Sequence, residues 1–359
     1  MITRRALATL AGACAMALAA SSGVSAEEKL KVGFIYIGPI GDYGYSYQHN
    51  EGRKALEKAL GDKVETTYVE GVSEADAERP IEQLARTGHK LIFTNSFGFM
   101  EATLKVAKKY PNVKFEHATG YKRAANVATY AARFYEGRYI QGQIAAKMSK
   151  TGIIGYLAAF PIPECVAGIN AYMLGAQSVR PDIKLKVVWA NTWYDPAKEA
   201  DAAKALFDQN VDVITQHTDS PAPLQTAEAR GKFGFGQASD MEQFAPKAQL
   251  TALVNDWSEY YIERTKLVLD GKWTSTDTWD GLDKKMIVMS PYKNMPDDVK
   301  KMAEETEAAI ASHKLKPFKC PVLDQSGKEV ECKGEGTLSD EQILGMNFYV
   351  KGIEDKLPQ

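Results

Sequence analysis

The chain has 359 residues, with 44 Lys and Arg against 46 Asp and Glu, a formal charge of −2, 45% hydrophobic and 25% charged residues. That is the balance of a soluble globular protein long enough for two domains, and it leaves no basic footprint for nucleic acid. Past residue 26 no apolar run approaches the ~18 residues needed to cross a bilayer, so a membrane-spanning mature chain is excluded.

Residues 1–26 read as a secretion signal. Thr3-Arg4-Arg5 is a charged start, Ala6 to Ala20 an Ala/Leu-rich stretch, and Val24-Ser25-Ala26 a small-residue cleavage site. The general secretory route is preferred, although the paired arginines leave a twin-arginine route open. Ala11-Gly12-Ala13-Cys14 is similar to a lipoprotein signal but lacks the usual Leu three positions before the Cys. A cleaved, soluble, periplasmic product is expected.

Next, an apolar strand, Lys31 to Ile37, runs into a Gly/Pro turn carrying Asp42, Tyr43, Tyr45 and Tyr47, and a helix is expected from Gln48 to Leu60. Further strands are expected at 64–69, 90–95, 114–119 and 127–133, with helices at 74–87, 99–109 and 136–150. The rhythm restarts at Lys150-Thr151-Gly152. Strands at 152–160, 184–191, 211–218, 232–237 and 250–254 alternate with helices at 163–179, 197–209, 222–231 and 257–269. Short buried strands alternating with helices predict an α/β fold of parallel βαβ units in two lobes. The expected division is 27–150 with about 252–285 in lobe 1, and 151–251 with about 286–359 in lobe 2. Beyond Trp273 the pattern gives a hairpin-like stretch at 279–289 and a charged helix at 296–313. Cys320 and Cys332 flank two short strands about Asp324-Gln325-Ser326-Gly327, which in an oxidising compartment favours a disulfide between them. A helix–turn tail, 340–358, closes the chain.

In open α/β sheets, ligands sit beyond the carboxyl ends of the strands. The strand exits supply Asp42, Tyr45 and Tyr47, then Asn95, Ser96 and Phe97 in the first lobe. The second supplies Trp193, then His217, Thr218 and Asp219, then Gln237 and Asp240. Aromatic faces, neutral amides and a few acids suit an uncharged planar heterocycle better than a phosphate. Asp195 before Pro196 reads equally well as a helix cap. No His-Glu-x-x-His, Gly-x-Ser-x-Gly or Walker loop is present, and no close cysteine pair marks a zinc site. No catalytic residue, metal or cofactor is therefore expected.

Several segments resemble the basic membrane protein family of substrate-binding proteins for ABC importers, which are similar to purine-nucleoside receptors. They are Asp42-Tyr43-Gly44-Tyr45-Ser46-Tyr47-Gln48-His49-Asn50-Glu51-Gly52, the stretch Ala131 to Tyr139, Ile162 to Ala171, Trp193 to Glu199, and Gly236-Gln237-Ala238-Ser239-Asp240. The resemblance implies the type I periplasmic-binding fold, with two doubly wound lobes around a central cleft. It also implies a purine ligand, an ABC permease as partner and, as expected here, a monomer. On it, Asp42 and Asp240 keep the family's acids and Tyr45 stands where a Phe is usual. Thr119 and Asn255 or Asp256 replace groups associated with the sugar, which favours a free base such as adenine over a nucleoside. A flavin-like heterocycle and a secreted nucleoside-processing enzyme are the competing readings.

Overall fold

The computed structural model describes residues 28–41 and 43–358; the expected signal segment with Cys14, and Asp42, lie outside the described residues. The first half runs β1 (Leu30–Ile35), α1 (Gly44–Leu60), β2 (Val64–Val69), α2 (Glu78–Arg86), β3 (Leu91–Thr94), α3 (Met100–Lys109), β4 (Lys114–Ala118) and β5 (Val127–Ala132). It continues through α4 (Phe134–Met148), β6 (Ile153–Ala158), α5 (Pro163–Val179), β7 (Lys184–Trp189), α6 (Pro196–Phe207), β8 (Val213–His217), α7 (Ala222–Ala229) and β9 (Phe233–Ala238). The rest is β10 (Gln249–Asn255), α8 (Ser258–Leu269), β11 (Asp277–Asp280), β12 (Ile287–Met289), α9 (Asp297–Ala311), β13 (Val322–Leu323), β14 (Glu329–Val330) and α10 (Asp340–Leu344).

Two six-stranded sheets result, ordered β2-β1-β3-β4-β5-β11 and β7-β6-β8-β9-β10-β12. Helices cover both faces, so strands such as β3 and β6 are buried along nearly their whole length and carry few polar residues. The strand order reverses between β1 and β3 in one sheet and between β6 and β8 in the other. Chains leaving those strands diverge and open a crevice at each sheet's carboxyl edge. The two crevices face each other, as the type I periplasmic-binding fold requires.

The lobe boundary falls earlier than residue 150. α4 was expected with the first lobe, but it packs along α5, where a Cβ on Gly142 would lie 1.9 Å from the Tyr172 carbonyl oxygen and one on Gly175 2.0 Å from that of Tyr139. Only glycine permits such helix contact, so the chain crosses between lobes at Arg133. The stretch 279–289 is not a hairpin. β11 pairs parallel with β5 and β12 antiparallel with β10, because each short strand completes the open edge of a different sheet. The segment between them is a lobe crossing, as is the link from β10 to α8. α8 lies on α1 in the first lobe, where Gly52 leaves room for Trp257 and Tyr261.

In the C-terminal region, Cys320 and Cys332 are bonded at a Cα separation of 6.5 Å across the β13–β14 hairpin. Asn170 anchors the tail, donating to the Phe348 carbonyl (2.7 Å) and accepting from the Val350 N–H (3.0 Å). Cys165 is buried and unpaired, and burial raises its thiol pKa.

Candidate ligand-binding cavity between the lobes

α1 begins at Gly44 and not at Gln48, which places Tyr45 and Tyr47 on its first turn. The chain reaches that start through two left-handed residues, Tyr43 (φ 64°) and Gly44 (φ 79°). Tyr43 offers no side-chain cap, so the helix's first amides need partners from elsewhere. The second lobe supplies them. Ser239 Oγ accepts the Gly44 N–H at 2.7 Å, and the Asp219 carboxyl group faces the Tyr45 N–H. A negative carboxylate at a helix N-terminus also meets the positive end of the helix dipole. The lobes are thus closed on each other, with α1 capped across the cleft.

Between them lies a cavity of about 430 Å³ including its mouth. Ile37, Tyr45, Asn95, Ser96, Phe97 and Thr119 line it from the first lobe; Phe134, at the crossing, and Ile162, Glu164, Trp193, His217, Asp219 and Gln237 line it from the second. Eight residues expected from the sequence therefore meet here: Tyr45, Asn95, Ser96, Phe97, Trp193, His217, Asp219 and Gln237. They come from the strand exits at both switch points, β1/β3 and β6/β8, and from the exits of β7 and β9.

The orientation of the amides is set from behind. Asn95 Oδ1 accepts the Ile37 N–H at 2.9 Å, leaving its buried Nδ2 with no protein partner at the cavity wall. Gln237 Oε1 accepts from the fully buried Arg138, whose guanidinium also reaches Thr215 Oγ1 (2.8 Å) and Gln141 Oε1 (2.9 Å). Both residues therefore turn an NH2 group toward the ligand space. A buried donor without a partner costs free energy, so an acceptor placed there is stabilised.

Of the two acids in the wall, Asp219 was expected from the sequence and Glu164 was not. Asp219 is 6% exposed, and burial, reinforced by Glu199 and Glu164 nearby, raises its pKa well above the carboxylate range despite the Tyr45 N–H. Glu164, on the first turn of α5, has Oε1 3.3 Å from His217 Nε2. Burial holds His217 below its usual pKa, so the ring is neutral near pH 7, and its Nδ1 lies 3.2 Å from the Tyr156 hydroxyl. Tyr45, near Thr119, has its pKa raised by burial and by Glu164. Its ring stands edge-on to His49 at 4.3 Å. On the facing lobe Trp193 packs against Phe160 (5.2 Å) and His217 (6.4 Å).

Three expected site residues stand apart, and a fourth is not described. Asp42 lies outside the described residues. Tyr47 stacks on Tyr43 at 4.3 Å and 10°, and Tyr43 meets Phe244 of the other lobe edge-on at 5.2 Å, so Tyr47 backs a lobe contact outside the cavity. Asp240 accepts from Gln249 Nε2 (2.6 Å) and the Glu242 N–H (3.1 Å), which uses its carboxylate to hold the turn after β9. Thr218 is fully buried behind the wall. Asp195 caps α6, accepting the Lys198 N–H at 3.1 Å. Sequence reasoning passed over Glu164 and Phe134. Glu164 follows Pro163 at a helix start just beyond the β6 exit, a legible signal. Phe134 was hidden by the misplaced lobe boundary.

A two-lobed binding protein of the type I periplasmic-binding fold is the class that this topology and closed cleft define. The family model for PnrA-like ABC transporter substrate-binding proteins matches residues 29–316, and the chain belongs to that family. It is 63% identical over 335 residues, 93% of this chain and 95% of the relative, to a purine-binding protein of Brucella abortus. It is 36% identical over 337 residues, 94% of this chain and 83% of the relative, to a Haloferax volcanii protein named for glucose binding in an ABC transporter. Among solved structures, an ABC transporter solute-binding protein from Aeropyrum pernix superposes with a TM-score of 0.71 at 20% identity, covering 81% of this chain and 94% of that one.

Proposed function

We propose that this protein captures a purine base in the interlobe cavity, in the periplasm after removal of the leader, and delivers it as a monomer to an ABC permease. The observation that carries the reading is the 63% identity, across nearly the whole chain, to a purine-binding protein. The cavity's chemistry supports it. Asn95 Nδ2 and Gln237 Nε2 donate to ring nitrogens or an exocyclic oxygen, while Asp219 and Glu164 accept from N–H groups. Rings from both lobes (Tyr45, Phe97, Trp193) cover the faces of a flat heterocycle. A base is favoured over a nucleoside. Asn255 and Asp256, where the resemblance locates a sugar group, do not line the cavity; Asp256 Oδ1 instead accepts the Ser258 N–H (3.0 Å). No step of this reading requires bond chemistry.

Thermal unfolding of ligand-stripped protein tests it directly. A ligand of the folded state at 100 times its Kd adds about 2.7 kcal/mol. Adenine, guanine or hypoxanthine is expected to raise Tm, with adenosine weaker and glucose and ribose without effect. A shift with glucose and none with any purine overturns the assignment.

A further inference from the structure

Another space adjoins the cavity at Phe97 and Phe134. This second, larger space of about 1310 Å³, including its mouth, shares Phe97, Thr119, Phe134, Ile162 and Glu164 with it and opens between the lobes on the side of the β11 edge. Its own walls are Tyr121, Ala131, Tyr135, Trp279 and Leu344, drawn from the loop after β4, from β5 and β11, from the start of α4 and from the end of α10. Among the described residues four large apolar side chains are left exposed. Two of these, Tyr121 (66%) and Leu344 (52%), flank this one opening. Exposed apolar surface gathered at the mouth of a binding cleft marks a contact site, whereas single scattered residues do not.

Polar groups here are few and mostly engaged. Asp277 is paired with Arg123 at 2.5 Å and accepts from Thr129 Oγ1 at 2.7 Å, and Thr119 Oγ1 donates to the Ala118 carbonyl at 2.8 Å. A sugar placed in this annex would bury hydroxyls without enough partners, which is costly. An alkyl or aryl group would lose only apolar contact with water.

We propose that the annex is a substituent subsite, and that the protein accepts purines carrying an apolar group on a nitrogen, with the base in the inner cavity and the substituent between Tyr121, Trp279 and Leu344. This rests on the purine reading above. The observation behind it is that the two spaces adjoin, with Phe97, Thr119, Phe134, Ile162 and Glu164 in the walls of both.

Titration calorimetry with adenine, adenosine, N6-benzyladenine and 9-benzyladenine tests the proposal. At least one benzyl isomer is expected to bind ten-fold or more tightly than adenosine and no more weakly than adenine. Ala131→Phe, which fills the annex, and Tyr121→Ala, which removes an exposed wall and does not threaten folding, are each expected to lower that isomer's affinity at least five-fold. Adenine binding should stay within two-fold in both and so reports intact folding. Adenine bound with both benzyl purines more than ten-fold weaker overturns the annex alone. Equal loss for adenine and the benzyl purine in Tyr121→Ala also overturns it. Binding of no purine at all removes the reading beneath it, and the annex falls with it.

Discussion

At the scale of residues, Asp219 carries the sharpest conflict between stability and binding. It is buried beside Glu199 and Glu164, faces the Tyr45 N–H, and its pKa is raised. A carboxyl whose folded pKa lies above its unfolded value, near 3.9, stabilises the fold fully below that value and loses the contribution as pH rises. Asp219→Asn keeps a cap for α1, since Asn caps as well as Asp, and removes the charge. We expect ligand-free Asp219→Asn to melt higher than wild type at pH 7, by about 2–4 °C for each kcal/mol recovered, with the gain vanishing toward pH 3.5. Base binding should fall at least ten-fold. A gain that persists unchanged at pH 3.5 would show that burial of charge is not its source. Asp219, two residues before Pro221, does not cap the helix that follows it; it lines the cavity and faces the start of α1 on the other lobe. Asp240 was misread because a loop acid after a strand looks the same in sequence whether it faces a cleft or, as here, holds Gln249 and its own turn.

Among the elements, α1 shows how a local oddity is resolved only by tertiary structure. Its start, Tyr43-Gly44, lacks a polar cap, so sequence rules place the helix start at Gln48; the cap is Ser239, with Asp219 facing the same end, nearly two hundred residues away in the chain and absent from any local window. Strand and helix placement elsewhere was legible because period and length differ between the two. β2 and α5 occupy the expected bounds. What the sequence did not carry was pairing. A four-residue strand such as β11 reads the same whether it turns back on β12 or crosses to β5. Gly44 provides a test of capping across the cleft. A Cβ there would sit 2.2 Å from the Asp219 carbonyl oxygen, and φ is 79°. Gly271 has a similar φ of 66° but open space around it. Both Gly→Ala changes therefore cost about 1 kcal/mol in backbone strain, and only Gly44→Ala wedges the lobes apart. We expect similar Tm losses without ligand, together with a Kd raised at least ten-fold in Gly44→Ala and unchanged in Gly271→Ala. Equal affinities in the two variants would mean that closure does not need the contact.

For the molecule as a whole, two similar sheets meet at their switch points, and ligand release requires the lobes to part about the three crossings. Contacts that exist only in the closed form then govern how long a ligand stays. One of these joins the lobes outside the cavity. Glu74 Oε1 accepts from Ser96 Oγ (2.8 Å) and the Gly98 N–H (3.1 Å) within the first lobe, and from the indole N–H of Trp193 (3.3 Å) across the cleft. Ser96 and Trp193 themselves line the cavity, so the wall nearest the ligand is tied to the lobe-to-lobe bond. Glu74 is exposed, and a single solvent-screened bond of this kind contributes about 0.5–1 kcal/mol. Its loss should therefore appear as a two- to five-fold faster ligand release in Glu74→Ala, with association little changed, because opening breaks the bond and encounter precedes it. Trp193→Phe removes the N–H and keeps a ring against Phe160. If the bond is the latch, the double variant releases ligand no faster than the quicker single one. Stopped-flow displacement distinguishes the cases, since additive rate increases would assign Glu74 to ordering the Ser96–Gly98 turn alone.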